Sequence, residues 1–212
     1  SVFLMLQCSA GVTAETKLID AEKPNSGFLP DYSLLSPVKG PEGTKVYRYT
    51  RFDFDPLAYT AVIIDPVVIN QQMKDEKITP DIITATQQAL NATIIDRVGA
   101  GKMKIAHESG AGVLRVSVSI SGAEVETEGF KPRNILPISA VIKLASKATG
   151  KDSKKAVLLV ESKVVDSKTG ELMRAGMITI AGDSFRDQAA TAEEFKQLAV
   201  KIVDMAIKNS SM

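Results

Sequence analysis

The clearest alternation in the chain runs through residues 113–121, where Leu114, Val116, Val118 and Ile120 take turns with Arg115, Ser117, Ser119 and Ser121. Successive side chains of a strand point to opposite faces, so this period of two predicts a strand with one buried and one wet face. Residues 45–50 and 61–69 carry the β-branched and aromatic enrichment of strands, and Pro66 marks an edge or a bulge in the second. A short strand over residues 103–107 precedes the alternating one. Residues 155–165 and 171–181 give two more strands around Asp166-Ser167-Lys168-Thr169-Gly170, a hairpin loop in which Gly170 supplies the positive φ that a tight turn requires.

Elsewhere the apolar spacing becomes helical. Thr79 reads as an N-cap with Pro80 at the first helical position, and Ile82, Ile83, Thr86, Ala89, Leu90, Ile94 and Val98 follow at helical intervals until Gly99 and Gly101. A polar, glycine-bearing loop is expected over residues 122–134, then a helix carrying Ile138, Val141, Ile142, Ala145 and Ala148 and closed by Gly150. The last helix opens on the capping box Thr191-Ala192-Glu193-Glu194 and stripes Phe195, Leu198, Ala199, Ile202, Val203 and Ala206. The order β-β-α-β-β-α-β-β-α predicts an α+β fold: a mostly antiparallel sheet with about three amphipathic helices laid on one face.

Before this domain, residues 15–44 are punctuated by Pro24, Gly27, Pro30, Pro37, Gly40, Pro41 and Gly43 and read as an irregular N-terminal arm leading into a single domain over 45–212. Residues 1–14 read as the remnant of a secretory signal peptide, since the apolar opening falls far short of the roughly 20 residues that span a bilayer. Two mature ends are open: cleavage after Ala14, or a chain beginning at a lipid-bearing Cys8, where Gln7 departs from the small residue expected before such a cysteine.

Composition narrows the function. The 212 residues are 44% hydrophobic and 24% charged, enough for a sizeable core, and the formal charge of +1 offers no field for a polyanion. Nucleic acid is therefore not expected as a partner, and a membrane is reached only through an anchor at Cys8. Aromatic content of 5% without Trp argues against base-stacking platforms and indole-lined sugar clefts. One cysteine and one histidine, His107, leave no internal disulfide, no structural zinc set and a poor basis for a Ser-His-Asp triad. No catalytic residue, metal ligand or cofactor is expected.

Gly99-Ala100-Gly101-Lys102 and Gly110-Ala111-Gly112 lack the strand-loop-helix spacing of a phosphate cradle and read as turns. Arg51-Phe52-Asp53-Phe54-Asp55-Pro56 brings two carboxylates together for cation binding or acid–base work, against a plainer reading in which Phe52 and Phe54 face inward and Arg51, Asp53 and Asp55 face water. The segment ranked highest for interaction is the arm, with Phe28, Leu29, Tyr32, Leu34 and Leu35 close together; its plain alternative is docking on its own domain.

Ser26-Gly27-Phe28-Leu29-Pro30-Asp31-Tyr32-Ser33-Leu34-Leu35 after a signal sequence, Tyr59-Thr60-Ala61-Val62-Ile63-Ile64-Asp65-Pro66-Val67, and Asp166-Ser167-Lys168-Thr169-Gly170-Glu171-Leu172 together resemble the bacterial family catalogued as domain of unknown function 3313. The likeness covers most of the chain and implies an outer-membrane or periplasmic lipoprotein with no established activity. The reading that follows is a non-catalytic envelope protein, a binding or assembly component whose partner is another envelope protein or a second copy of itself. Two others compete: a subunit of a ring-like or secretion assembly, favoured by an exposed strand edge at 61–69 or a free apolar arm, and a hydrolase using Asp53, Asp55 or Asp65.

Overall fold

The computed structural model describes residues 25–70, 78–127, 154–185 and 191–208. Eight strands form one sheet: β1 (Ser36–Val38), β2 (Thr44–Thr50), β3 (Ala61–Ile64), β4 (Val68–Ile69), β5 (Lys104–Ile105), β6 (Val113–Thr127), β7 (Lys154–Asp166) and β8 (Leu172–Phe185), in spatial order β1-β2-β8-β7-β6-β3-β5 with β4 also on β6. Two helices are described, α1 (Pro80–Gly99) and α2 (Thr191–Lys208). The helix expected around residues 138–148 lies outside the described residues.

The sheet is mixed: its long ladders are antiparallel, as expected, and its short outer ones are parallel. β1 pairs antiparallel with β2, β2 with β8, β8 with β7 and β7 with β6, whereas β3 runs parallel to both β5 and β6, and β4 parallel to β6. The reason lies in the connection. Between β4 and β6 the chain passes through α1, and a helical crossover returns a strand in the same direction, which a tight turn cannot do. Pro66 lacks the N–H that an unbroken strand over 61–69 would need, so that segment divides into β3 and β4.

β6 also runs further than its alternation predicts, reaching Thr127 through the residues expected to form a loop. The register slips between Ile120 and Gly122, so Ser121 is an extra, bulged residue. The slip hides the continuing strand from a simple period of two.

One face of the sheet carries both helices. Ile83, Leu90 and Ile94 of α1 and Phe195, Leu198, Ile202 and Val203 of α2 share a core with Val46, Ile120, Leu158, Val160, Ile178 and Ile180. Fully burying each such side chain is worth about 1.5–3 kcal/mol. Arg97 Nε and Asp204 Oδ1, 2.8 Å apart, link the helices at the surface.

The opposite face is not wet. Ser119 and Ser121 are 0% and 2% exposed, because the arm folds across this side and buries Leu29 and Leu35 against Leu159, Ala175 and Met177. A polar alternation marks a strand's second face but carries no record of what covers it. Part of the arm becomes sheet: β1 adds to β2 at the edge, where Pro37 interrupts the row of donors that could pair with another chain.

Candidate functional site

Where the arm meets the sheet lies the most buried polar cluster among the described residues. Glu161 on β7 is fully buried, opposite Ser119 of β6 and Met177 of β8. Its Oε2 accepts hydrogen bonds from the hydroxyls of Ser26 in the arm and Ser121 at the bulge. Ser119 Oγ lies 3.3 Å from Ser121 Oγ. Ser121 keeps the face of Ser119, as a period of two requires, and the bulge instead shifts the residues that follow, so that Ala123 and Val125 join Ile120 in the helix-side core. No group among the described residues bonds Glu161 Oε1.

Around Ser26 the arm closes on itself. Asn70 Nδ2, just beyond β4, donates to both Ser26 O and Ser26 Oγ at 2.8 Å. The Tyr32 hydroxyl oxygen accepts from the backbone N–H groups of Ser26, Phe28 and Leu29 at 3.2, 3.1 and 3.3 Å and lies 3.1 Å from Ser26 Oγ. Those amides sit in irregular backbone with no ladder to join, so the tyrosine satisfies what secondary structure would otherwise supply. Lys163, two residues along β7 on the same face, donates to Phe28 O at 3.2 Å and sits 4.6 Å from the Phe28 ring centroid.

This arrangement joins the arm to the sheet. Both serine hydroxyls are turned onto one carboxylate oxygen in an enclosed place, whereas a nucleophile and its base must face a substrate. Burying the carboxylate without donors would cost several kcal/mol, so arm and sheet each satisfy what the other buries.

Of the residues singled out in the arm, Leu29 and Leu35 are buried, Phe28 and Tyr32 are partly buried beside them, and Leu34 stays 39% exposed. Cys8 lies outside the described residues. The three acidic candidates are taken up locally and separately. Asp53 pairs with Arg51 Nε at 2.6 Å, Asp55 Oδ1 accepts from Leu57 N at 2.9 Å to cap a 3-10 turn at Pro56–Ala58, and Asp65 accepts from Ser117 Oγ at 2.7 Å. The inward placement of Phe52 is corrected: its segment is a turn, not a strand, and Phe52 is 97% exposed, while Phe54 packs beside Tyr59 with ring centroids 5.7 Å apart. His107 lies exposed just after β5, and β3 is flanked on both sides by β5 and β6.

Among the described residues no three His, Cys, Asp or Glu side chains are grouped to hold a metal ion, and no helix is long and apolar enough to cross a membrane. Glu161, Ser26, Asn70 and Ser121 were not singled out by pattern. The available signal was a glutamate directly after Val157-Leu158-Leu159-Val160, a charge where a doubly covered strand should stay apolar.

At the hairpin end of the sheet, the loop expected from Asp166 to Gly170 is present. Asp166 Oδ1 accepts from Lys168 N at 2.8 Å and Thr169 N at 2.9 Å, and the Tyr59 hydroxyl donates to Oδ2 at 3.0 Å. The Thr169 amide, helped by Tyr59 and Lys168, holds the Asp166 carboxyl below its ordinary range, and burial followed by the bond to Asp166 pushes the Tyr59 phenol up.

A model of the family described as "Protein of unknown function (DUF3313)" matches residues 24–206, from the fastened arm to the last turns of α2. The chain belongs to this family. It is also similar to the uncharacterized lipoprotein YdcL of Escherichia coli (strain K12), 23% identical over 186 residues that cover 85% of this chain and 81% of that protein. Among solved structures it is similar to a DUF4136 family protein from Bacteroides thetaiotaomicron, 12% identical with a TM-score of 0.42, covering 81% of this chain and 97% of the other. A minor lipoprotein from Acinetobacter baumannii is 10% identical with a TM-score of 0.32, covering 71% of this chain and 93% of the other. Membership in the family agrees with the resemblance carried by the arm, β3 and hairpin motifs, and the lipoprotein relative points to the cell envelope.

Proposed function

We propose that this chain is a non-catalytic lipoprotein of the cell envelope, carried on acyl chains at Cys8, which acts as a binding or assembly component. The observation that carries the reading is the clasp in which Ser26, itself held by Asn70 and Tyr32, donates to Glu161 and seats the arm against the sheet face opposite the helices. An arm held this way makes the domain's distance from its anchor a property of the fold. The 17 positions from Cys8 to Asn25 span at most about 60 Å when fully extended. The domain is then tethered near the membrane surface with the helix-bearing face turned away from the strap.

The test is to express the full gene in a Gram-negative host, fractionate the envelope and take an intact mass of the mature protein. The expected product begins at Cys8 with acyl chains attached, and Cys8→Ser moves the protein out of the membrane fraction. A mature chain beginning at Glu15 in the soluble periplasm overturns the anchor, and an unprocessed cytoplasmic chain overturns the envelope assignment.

A further inference from the structure

At the hairpin end of the sheet, the connection from β2 to β3 carries the two most exposed large apolar side chains among the described residues, Phe52 at 97% and Leu57 at 89%. Their turn is held firmly from beneath. Arg51 Nε bonds Asp53 Oδ1 at 2.6 Å, and its Nη1 reaches Glu171 Oε2 beside the β7–β8 hairpin at 3.0 Å. Arg51 N donates to Met173 O at 2.9 Å, Phe54 N to Arg51 O at 3.2 Å and Ala58 N to Asp55 O at 3.2 Å. The Phe54 ring packs beside Tyr59, whose hydroxyl is bonded to Asp166. A loose loop could fold its apolar side chains back onto the domain, whereas this one anchors Phe54 and leaves Phe52 and Leu57 standing in water.

The carboxylates around them are engaged within the turn and its neighbour, Asp53 and Glu171 on Arg51 and Asp55 on the Leu57 amide. The apolar area is thus confined to two protruding side chains set among polar ones. A stable protein–protein interface needs about 800 Å² of complementary surface on each partner, whereas the interfacial zone of a bilayer accepts single protruding Phe and Leu side chains. An anchor at Cys8 brings that zone within reach. Glu161, where Ser26 is fastened, precedes Asp166 at the hairpin by five positions of β7, about 17 Å of strand. The 17 positions from Cys8 to Asn25 span up to about 60 Å, so the tether extends past the turn.

We propose that the turn carrying Phe52 and Leu57 rests in the head-group region of the membrane to which the chain is anchored. This placement relies on the lipid-anchored reading for its tether, while the contact itself belongs to the turn. Burying each side chain is worth about tenfold in partitioning, too little to recruit a soluble domain. Once a tether fixes the local concentration, the same contact decides which end of the domain faces the lipid. The domain then stands on the hairpin end of its sheet, with the helix-bearing face and the arm-covered face both clear of the membrane for a partner.

The sequence contains no Trp and a single cysteine, which makes the test direct. The full chain is coupled through Cys8 to a maleimide-bearing lipid in phosphatidylethanolamine–phosphatidylglycerol vesicles, so the tether is present whether or not a cell acylates Cys8. Phe52→Trp and Leu57→Trp each report their own surroundings, with Leu34→Trp on the arm for comparison. Coupling is expected to shift the emission of Trp at 52 and 57 to the blue and to expose both to quenching by brominated acyl chains, with neither effect at 34. Adding Phe52→Ser to the Leu57→Trp chain should weaken the contact about tenfold. Unchanged emission at 52 and 57 overturns the proposal. So does a blue shift without quenching, which would set the turn against a second copy, and so does quenching at 34 in place of 52, which would lay the arm on the lipid. Failure of the anchor reading shows separately, as a mature mass beginning at Glu15, and leaves the vesicle result unaffected.

Discussion

Ser26 and Glu161 are 135 residues apart in the chain, yet the serine hydroxyl donates directly to the buried carboxylate. That single bond joins the irregular arm to a central strand of the sheet. Ser26→Ala removes a donor from a carboxylate that stays buried, so a loss of about 1–3 kcal/mol is expected. Urea unfolding measures it, and limited proteolysis should show faster cleavage within residues 25–35 than in the parent. An unchanged arm cleavage rate would contradict the clasp.

Tyr32 supports the same segment from within. Tyr32→Phe keeps the ring against Leu29 and Leu35 but leaves the amides of Ser26, Phe28 and Leu29 without their shared acceptor. Phe28 N keeps Ser26 Oγ as an acceptor at 3.2 Å, so a loss of about 1 kcal/mol is expected from the part-buried amides of Ser26 and Leu29, together with faster amide exchange at Leu29. Because Ser26 and Tyr32 belong to one network, the double variant should lose less than the sum of the two singles.

Gly170 offers a cleaner test of backbone strain. Its φ is +77°, and nothing lies within 4 Å of a Cβ placed there. Gly170→Ala is therefore expected to cost about 1–2 kcal/mol through the left-handed conformation alone, and Gly170→Asn, which tolerates that region better, should cost less. Urea midpoints at equal m-values decide it.

Acid should loosen the same hairpin. The folded-state pKa of Asp166 lies below its reference value of 3.8, so its ionised form contributes stability that is full above that value and is lost as pH falls through the lower folded value. Asp166→Asn abolishes that contribution. Stability measured across the acid range should fall less steeply for Asp166→Asn than for the parent, and equal slopes would show that the turn amides and Tyr59 do not hold the charge.

The parts of the fold legible along the chain are those with local causes. Helix α1 spans Pro80–Gly99 as its cap and apolar spacing predict, and Thr79 Oγ1 accepts from Ile82 N at 3.4 Å. The β7–β8 hairpin follows from Gly170 and the side chain of Asp166, both within the turn they shape. Among the arm residues, the apolarity of Leu29 and Leu35 is legible in the chain, but the face that receives them is not.

The amino-acid sequence by itself determined α1, α2, the β7–β8 hairpin and the family, because period, capping and turn chemistry act over a few residues. Tertiary structure alone decided that β3 and β4 run parallel to β6, that the serine face of β6 is covered, and that Ser26 and Ser121 converge on Glu161. Each of these depends on strand register and on a crossover helix, which bring together residues that no local pattern relates.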